Sequence, residues 1–165
     1  MKVKVVKKQE NSKMCFICGI DNPIGTKSPF YELENGEVMC YFEAPDEYQS
    51  YPGRMHGGIS ATVLDEAIGR AILVHHPDLW GVTIDLSLRY RKPVPLNTKL
   101  RCVARITNDT KRIFEGEGEI LLPDGSVAVE ARGRYFKMPI EKIAENAEMG
   151  EEMLLVPDDV TEVER

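Results

Sequence analysis

From Val82 to Tyr90 apolar and polar residues alternate strictly. Val82, Ile84, Leu86, Leu88 and Tyr90 share one parity, and Thr83, Asp85, Ser87 and Arg89 share the other. That period of two is the signature of a half-buried β-strand. Leu100, Cys102, Ala104 and Ile106 repeat it. Residues 111–122 set Phe114, Ile120 and Leu122 against Glu115, Glu117 and Glu119, and residues 126–137 form a last strand after the turn Pro123-Asp124-Gly125. Upstream, residues 29–34 and 37–44 read as strands flanking Asn35-Gly36, a strong hairpin dipeptide. A loop with Pro45, Pro52 and Gly53 follows. Residues 57–75 then turn to Ile, Val, Leu and Ala and predict one long helix, roughly 28 Å at 1.5 Å per residue. His75, His76 and Pro77 end it. Residues 1–25 read as an irregular leader. A short amphipathic helix is expected over residues 140–149, with a mobile end beyond Gly150.

The order β-β-α-β-β-β-β, with short helix-free links among the last four strands, favours antiparallel neighbours. The economical packing is an α+β fold in which a curved antiparallel sheet wraps around one long central helix. At 165 residues the chain suits one domain. Its net charge of -6 is uneven: residues 139–165 hold nine acids and two bases, so the body is nearly neutral and the tail acidic. A body without a basic stripe argues against nucleic acid as a partner. No apolar run reaches membrane-spanning length, and MKVKVVKKQE lacks the apolar core of a signal peptide. A cytoplasmic protein without membrane partners is expected. Four cysteines are too few and too irregularly spaced for a disulfide scaffold. Cys15 and Cys18 invite a zinc reading, but a closed zinc site takes four ligands and this pair supplies two. Cys40 and Cys102 stand singly, and His56, His75 and His76 lack ligand spacing. No metal and no cofactor are expected.

Two adjacent acids, Asp65 and Glu66, interrupt the apolar helix, and buried carboxylates are costly. Glu66 has Arg70 four residues on, the favoured orientation for a helical ion pair. Asp65 has no such partner, since positions 61, 62, 68 and 69 are Ala, Thr, Ile and Gly. It reads either as a solvated or subunit-paired surface acid or as a working carboxylate. His56-Gly57-Gly58 at the helix start reads either as a plain glycine-rich loop or as an oxyanion site, because helix N-termini carry unpaired N–H groups and glycine permits close approach. Gly57 and Asp65 lie about two turns apart, roughly 10 Å, too far to serve one atom within one chain. If both work, a dimer with shared sites is required.

The His-Gly-Gly followed nine residues later by Asp (His56 to Asp65), the run Leu64-Asp65-Glu66-Ala67, and the strand leading to Tyr90-Arg91-Lys92-Pro93 resemble hot-dog-fold acyl-CoA thioesterases, particularly the PaaI-like group. The resemblance covers roughly residues 15–138 and implies a hot-dog domain over residues 26–138, between the leader (1–25) and a short helix with acidic tail (139–165). It implies hydrolysis of an acyl-CoA thioester to free acid and CoA, and a homodimer or dimer of dimers. By position, the backbone N–H of Gly57 or Gly58 would bind the thioester carbonyl, and Asp65 would act as general base or nucleophile. Thr83 would hold the attacking water, and His56 would shape the loop. Some relatives have Asn six residues before the motif's His. Ser50 stands there in this chain, and neighbouring Gln49 is the substitute candidate. Arg89, Arg91 and Lys92 are candidate partners for CoA phosphates. Two alternatives stand beside this: a non-catalytic acyl-CoA binding or sensing module on the same fold, and a hydratase of enoyl thioesters.

Overall fold

The computed structural model describes residues 1–145 and 148–165. In chain order the elements are β1 (Lys2–Lys8), β2 (Asn11–Ser12), β3 (Phe30–Leu33), β4 (Val38–Phe42), α1 (Gly57–Ala71), β5 (Trp80–Tyr90), β6 (Leu100–Asp109), β7 (Ile113–Leu121), β8 (Val127–Met138), α2 (Met149–Glu152), β9 (Met153–Leu154) and β10 (Glu162–Glu164). Eight strands form one sheet in the order β10-β1-β3-β4-β6-β7-β8-β5, all neighbours antiparallel, and β2 pairs with β9. The expected α+β hot-dog architecture, a sheet around one long helix, is what the chain adopts.

Local chemistry accounts for these elements. Gly36 sits at φ +83° in the β3–β4 turn, which favours glycine, and the Asn35 side chain accepts from the Glu37 N–H at 3.1 Å. Helix α1 buries Ser60, Val63, Leu64, Ala67, Ile68 and Ala71, the spacing of one helical face. That face lies on a floor of small residues in β7. A methyl group added at Gly116 would come within 2.7 Å of Ile68, and one at Gly118 within 3.2 Å of Leu64. The expected helix end at about residue 75 is real but tighter, because Ile72–Val74 wind as a 3₁₀ turn.

Three expectations change. Residues 1–25 are not wholly irregular: β1 pairs with β3 and β10, and Val3 joins Tyr31, Leu33, Met39, Val103, Leu121 and Val163 in a second apolar cluster. The end of the chain is not free either. β9 and β10 tie it to the leader, and the Arg165 guanidinium grips Glu37 through Nε at 2.8 Å. The amphipathic helix expected over 140–149 is reduced to a 3₁₀ turn at Ile140–Lys142, and residues 146 and 147 lie outside the described residues. Apolar cross-strand pairing decides the first two cases, since a strand and an acidic tail can each find partners that a single-segment reading does not see.

The strict alternation of β5 is broken by a bulge. Thr83 pairs with Tyr135 and Asp85 with Arg134, so Ile84 is an extra residue. A bulge shifts the pleat by one, so Thr83, Leu86, Leu88 and Tyr90 share the helix-facing side. Val82, paired with Phe136, does not. β5 is also the edge of the sheet, with Val82, Ile84 and Tyr90 exposed.

Candidate active site

His56 caps α1 in an extended conformation, and its Nδ1 accepts from the Gly58 N–H at 2.9 Å. An accepting Nδ1 leaves the ring proton on Nε2. The loop is pinned on both sides: the His56 N–H donates to the Tyr48 carbonyl at 2.8 Å, and Met55 to the Val94 carbonyl at 2.9 Å. The Gly58 amide is therefore occupied. The Gly57 N–H has no partner among the described residues. Of the two expected oxyanion donors, Gly57 is the open one. Its carbonyl accepts from the Tyr90 hydroxyl at 2.6 Å, and a methyl group at Gly57 would meet the Tyr90 side chain at 3.2 Å.

Asp65 is half-buried on the side of α1 that faces β5 and β8. Its Oδ1 accepts two hydroxyl hydrogen bonds, from Thr83 at 2.8 Å and from Tyr135 at 3.0 Å. Its Oδ2 has no partner among the described residues. Tyr135 was not foreseen from the sequence. It is 1% exposed, stacks on Phe114 at 4.9 Å between ring centroids, and fits because Gly81 and Gly133 leave room for its ring. Burial, and then the charge of Asp65, push the Tyr135 phenol well above its ordinary value, so it stays protonated and donates. The inward parity of β8 was the available signal for it.

Asp65 and Gly57 do not meet within one chain. Asp65 is anchored to Thr83 near one end of β5 and Gly57 to Tyr90 at the other end.

The remaining candidates divide. Gln49 and Ser50 are exposed on the loop before His56, and among the described residues no hydrogen bond joins the Gln49 side chain to Asp65 or Gly57. Arg89 lies opposite Glu130 on the sheet face turned away from α1, so it does not line the cleft beside Gly57. Arg91 is held by Glu130 through two bonds of 2.9 and 2.7 Å. Lys92 lines a shallow cleft of about 320 Å³ beside Gly57, together with Arg54, Ser60, Tyr90 and Arg91. Arg54 is a cation that the strand-based reasoning missed, because it belongs to the loop before the helix.

On the neighbouring face of α1, Glu66 pairs with Arg70 at 2.7 Å, as the spacing suggested. The pair is not at the solvent edge: Arg70 is 2% exposed and also contacts Cys18 Sγ at 2.9 Å. The Cys15 hydrogen bond first, and the Arg70 charge after burial is overcome, lower the Cys18 thiol to about 6, while Cys15 is raised. The His75 and His76 N–H groups both donate to the Ile72 carbonyl and close the helix end, as the sequence suggested, while His76 Nε2 lies 2.8 Å from Asp109 Oδ2. No helix among the described residues is long and apolar enough to cross a membrane.

A profile of the thioesterase superfamily matches residues 52–129, the span that holds the His56 loop, α1, β5, β6 and β7. Human acyl-coenzyme A thioesterase 13 is 27% identical over 78 residues, covering 47% of this chain and 56% of that protein. A crystallised thioesterase superfamily protein superposes with a TM-score of 0.68 at 30% identity, covering 73% of this chain and 58% of the other. A Bacillus halodurans protein crystallised with CoA gives 0.55 at 30% identity, covering 60% of this chain and 70% of that one. This chain thus spans little more than half of the human enzyme and of the first of the two crystallised proteins. The profile match, the 30% identity across most of the Bacillus halodurans protein and the sheet-around-helix architecture agree: the chain belongs to the thioesterase superfamily and has its hot-dog fold.

Proposed function

We propose that the protein hydrolyses an acyl-CoA thioester, with Asp65 as general base and the Gly57 amide as oxyanion donor. The observation that carries the reading is the state of Asp65. Two hydroxyl donors fix one carboxylate oxygen and leave Oδ2 free for a water molecule. Water attacks the thioester carbon, and its proton passes to Asp65. The carbonyl oxygen gains negative charge, which the unpaired Gly57 N–H at the positive end of α1 stabilises. The carbon–sulfur bond then breaks, and the CoA thiolate takes up the proton from Asp65. Arg54 and Lys92, beside Gly57, are suited to the CoA phosphates. The occurrence of CoA with the Bacillus halodurans protein supports this ligand class.

The site belongs to two chains in this reading. Strand β5 is an exposed edge, ready for an antiparallel partner. A two-fold axis at Ser87 would pair Leu86 of one protomer with Leu88 of its partner on one face, and the extra residue Ile84 then sets Thr83 opposite Tyr90, because antiparallel pairing reverses the strand. That places Asp65 of one protomer near the open Gly57 amide of the other. The half-exposed flank of α1 toward the β5 edge, with Ala61, Thr62, Asp65 and Gly69, is small enough for a second helix to lie alongside. Membership of the PaaI-like group and a cytoplasmic location belong to the same proposal. The test is release of free thiol from a panel of acyl-CoA esters by the wild type and by Asp65→Asn. Binding of acyl-CoA without turnover across the panel would instead favour the sensing module.

A further inference from the structure

We infer that Cys15, Cys18 and Glu66 form a binding site for a thiophilic divalent cation, with zinc as the best fit. The pair of cysteines supplies two ligands, and the fold brings the third from α1. One ligand atom from each residue lies within 4.8 Å of the others. Tetrahedral zinc with Zn–S bonds of about 2.3 Å brings its sulfur ligands to roughly 3.8 Å, so a small closing movement completes the set. Cys18 is buried, while Cys15 and Glu66 are half-exposed, which leaves an entry path and room for a water as fourth ligand.

The groups around the three ligands are arranged for negative sulfur. The Ile17 N–H donates to Cys15 Sγ at 3.4 Å, and the Ser12 N–H to Cys18 Sγ at 3.4 Å. Arg70 donates to Cys18 Sγ at 2.9 Å and through Nε to Glu66 Oε1 at 2.7 Å, and Oε2 accepts no hydrogen bond among the described residues. Such donors orient ligands and tune a metal site. Two thiolates and a carboxylate carry three negative charges, which a dication and the buried Arg70 guanidinium cancel. The Arg70 side chain is itself fixed by the Glu10 carbonyl at 3.0 Å and lies over the Phe30 ring at 4.6 Å, so it cannot swing away. The leader reaches this position because Asn11 ties the Cys18 carbonyl at 2.7 Å, and Thr26 and Ser28 hold the backbone of Phe16 and Ile17. A metal here would clip the leader onto the central helix one residue from Asp65.

The experiment is metal analysis of the full chain, purified without chelator and with its thiols kept reduced. About one zinc per chain is expected. Cobalt(II) added to the stripped protein should give a sulfur-to-cobalt charge-transfer band and the strong visible absorption of a tetrahedral site. Cys15→Ser and Glu66→Gln should each weaken zinc binding roughly tenfold or more. Glu66→Gln leaves Arg70 without its carboxylate and can impair folding, whereas Cys15 is half-exposed and its serine variant keeps the fold testable. A reduced chain that takes up neither zinc nor cobalt overturns the inference. So does metal content unchanged in Cys15→Ser, or a Cys15–Cys18 disulfide as the stable form. Metal content is read without turnover, so this result is independent of the outcome for hydrolysis.

Discussion

The Tyr135 hydroxyl donates to the Asp65 carboxylate at 3.0 Å, to the same oxygen that accepts from Thr83. The phenol is buried and held protonated, so it acts as a fixed donor that sets the carboxylate's orientation. Hydrogen bonds to a charged group contribute about 1.5–3 kcal/mol. Tyr135→Phe, which keeps the stack on Phe114, should therefore lower kcat roughly ten- to hundredfold with KM little changed. Steady-state kinetics with circular dichroism as a fold check decide it. Unchanged kcat would remove Tyr135 from the site.

Gly57 offers a test of a single N–H. Proline is well tolerated at the first position of a helix, and the residue before a proline must be extended, as His56 already is at φ -61° and ψ 135°. Gly57→Pro thus deletes the amide donor and keeps the cap. Gly57→Ala adds the same Cβ against Tyr90 and keeps the donor. The alanine variant should retain most activity, and the proline variant should lose about 10²–10³ in kcat. Equal losses would mean that the contact with Tyr90, and not the N–H, matters.

The edge of β5 is the proposed dimer seam. Ile84 is 48% exposed, so Ile84→Lys should change the stability of the single chain by no more than about 0.5 kcal/mol. A lysine on an edge strand opposes pairing with another edge. Size-exclusion chromatography with light scattering should show a shift to monomer, and hydrolysis should fall with it. A fully active monomer would contradict the shared site.

Acid should loosen the chain's end. Burial raises the Glu37 carboxyl, but Arg165, Asn35 and Arg105 outweigh it and hold it below its ordinary value. A carboxyl with a depressed folded pKa contributes stability above its unfolded pKa and loses it as pH falls through the folded one. Arg165 is a quarter exposed, so Arg165→Ala should cost about 1 kcal/mol at neutral pH. Urea unfolding at a series of pH values should show the difference shrinking below the usual carboxylate range. A difference independent of pH would assign the clamp to packing.

What the sequence made legible was periodic. The β3–β4 hairpin, the central helix and the four later strands follow from alternation and turn residues, and parity alone turns Arg89 away from the helix. What it hid was set by non-local pairing. The bulge at Ile84 flips Thr83 inward against its polar parity, so only the family resemblance pointed to it. Tyr135 meets Asp65 across 70 residues, and Glu66 meets Cys18 through Arg70. The end of the chain read as mobile because its acids lack partners nearby, whereas Lys8, Arg101 and Arg105, far away in sequence, lie beside it or share its ion pairs.

We propose Asp65 as the base that drives thioester cleavage. The most direct measurement is free-thiol release from an acyl-CoA panel by wild type and Asp65→Asn, with both proteins shown folded by thermal melting. The asparagine keeps the shape and both hydroxyl contacts but cannot take a proton from water. The general-base role of Asp65 requires turnover of at least one acyl-CoA by the wild type and loss of that turnover, by about 10²-fold or more, in the variant. Turnover that survives Asp65→Asn would contradict it.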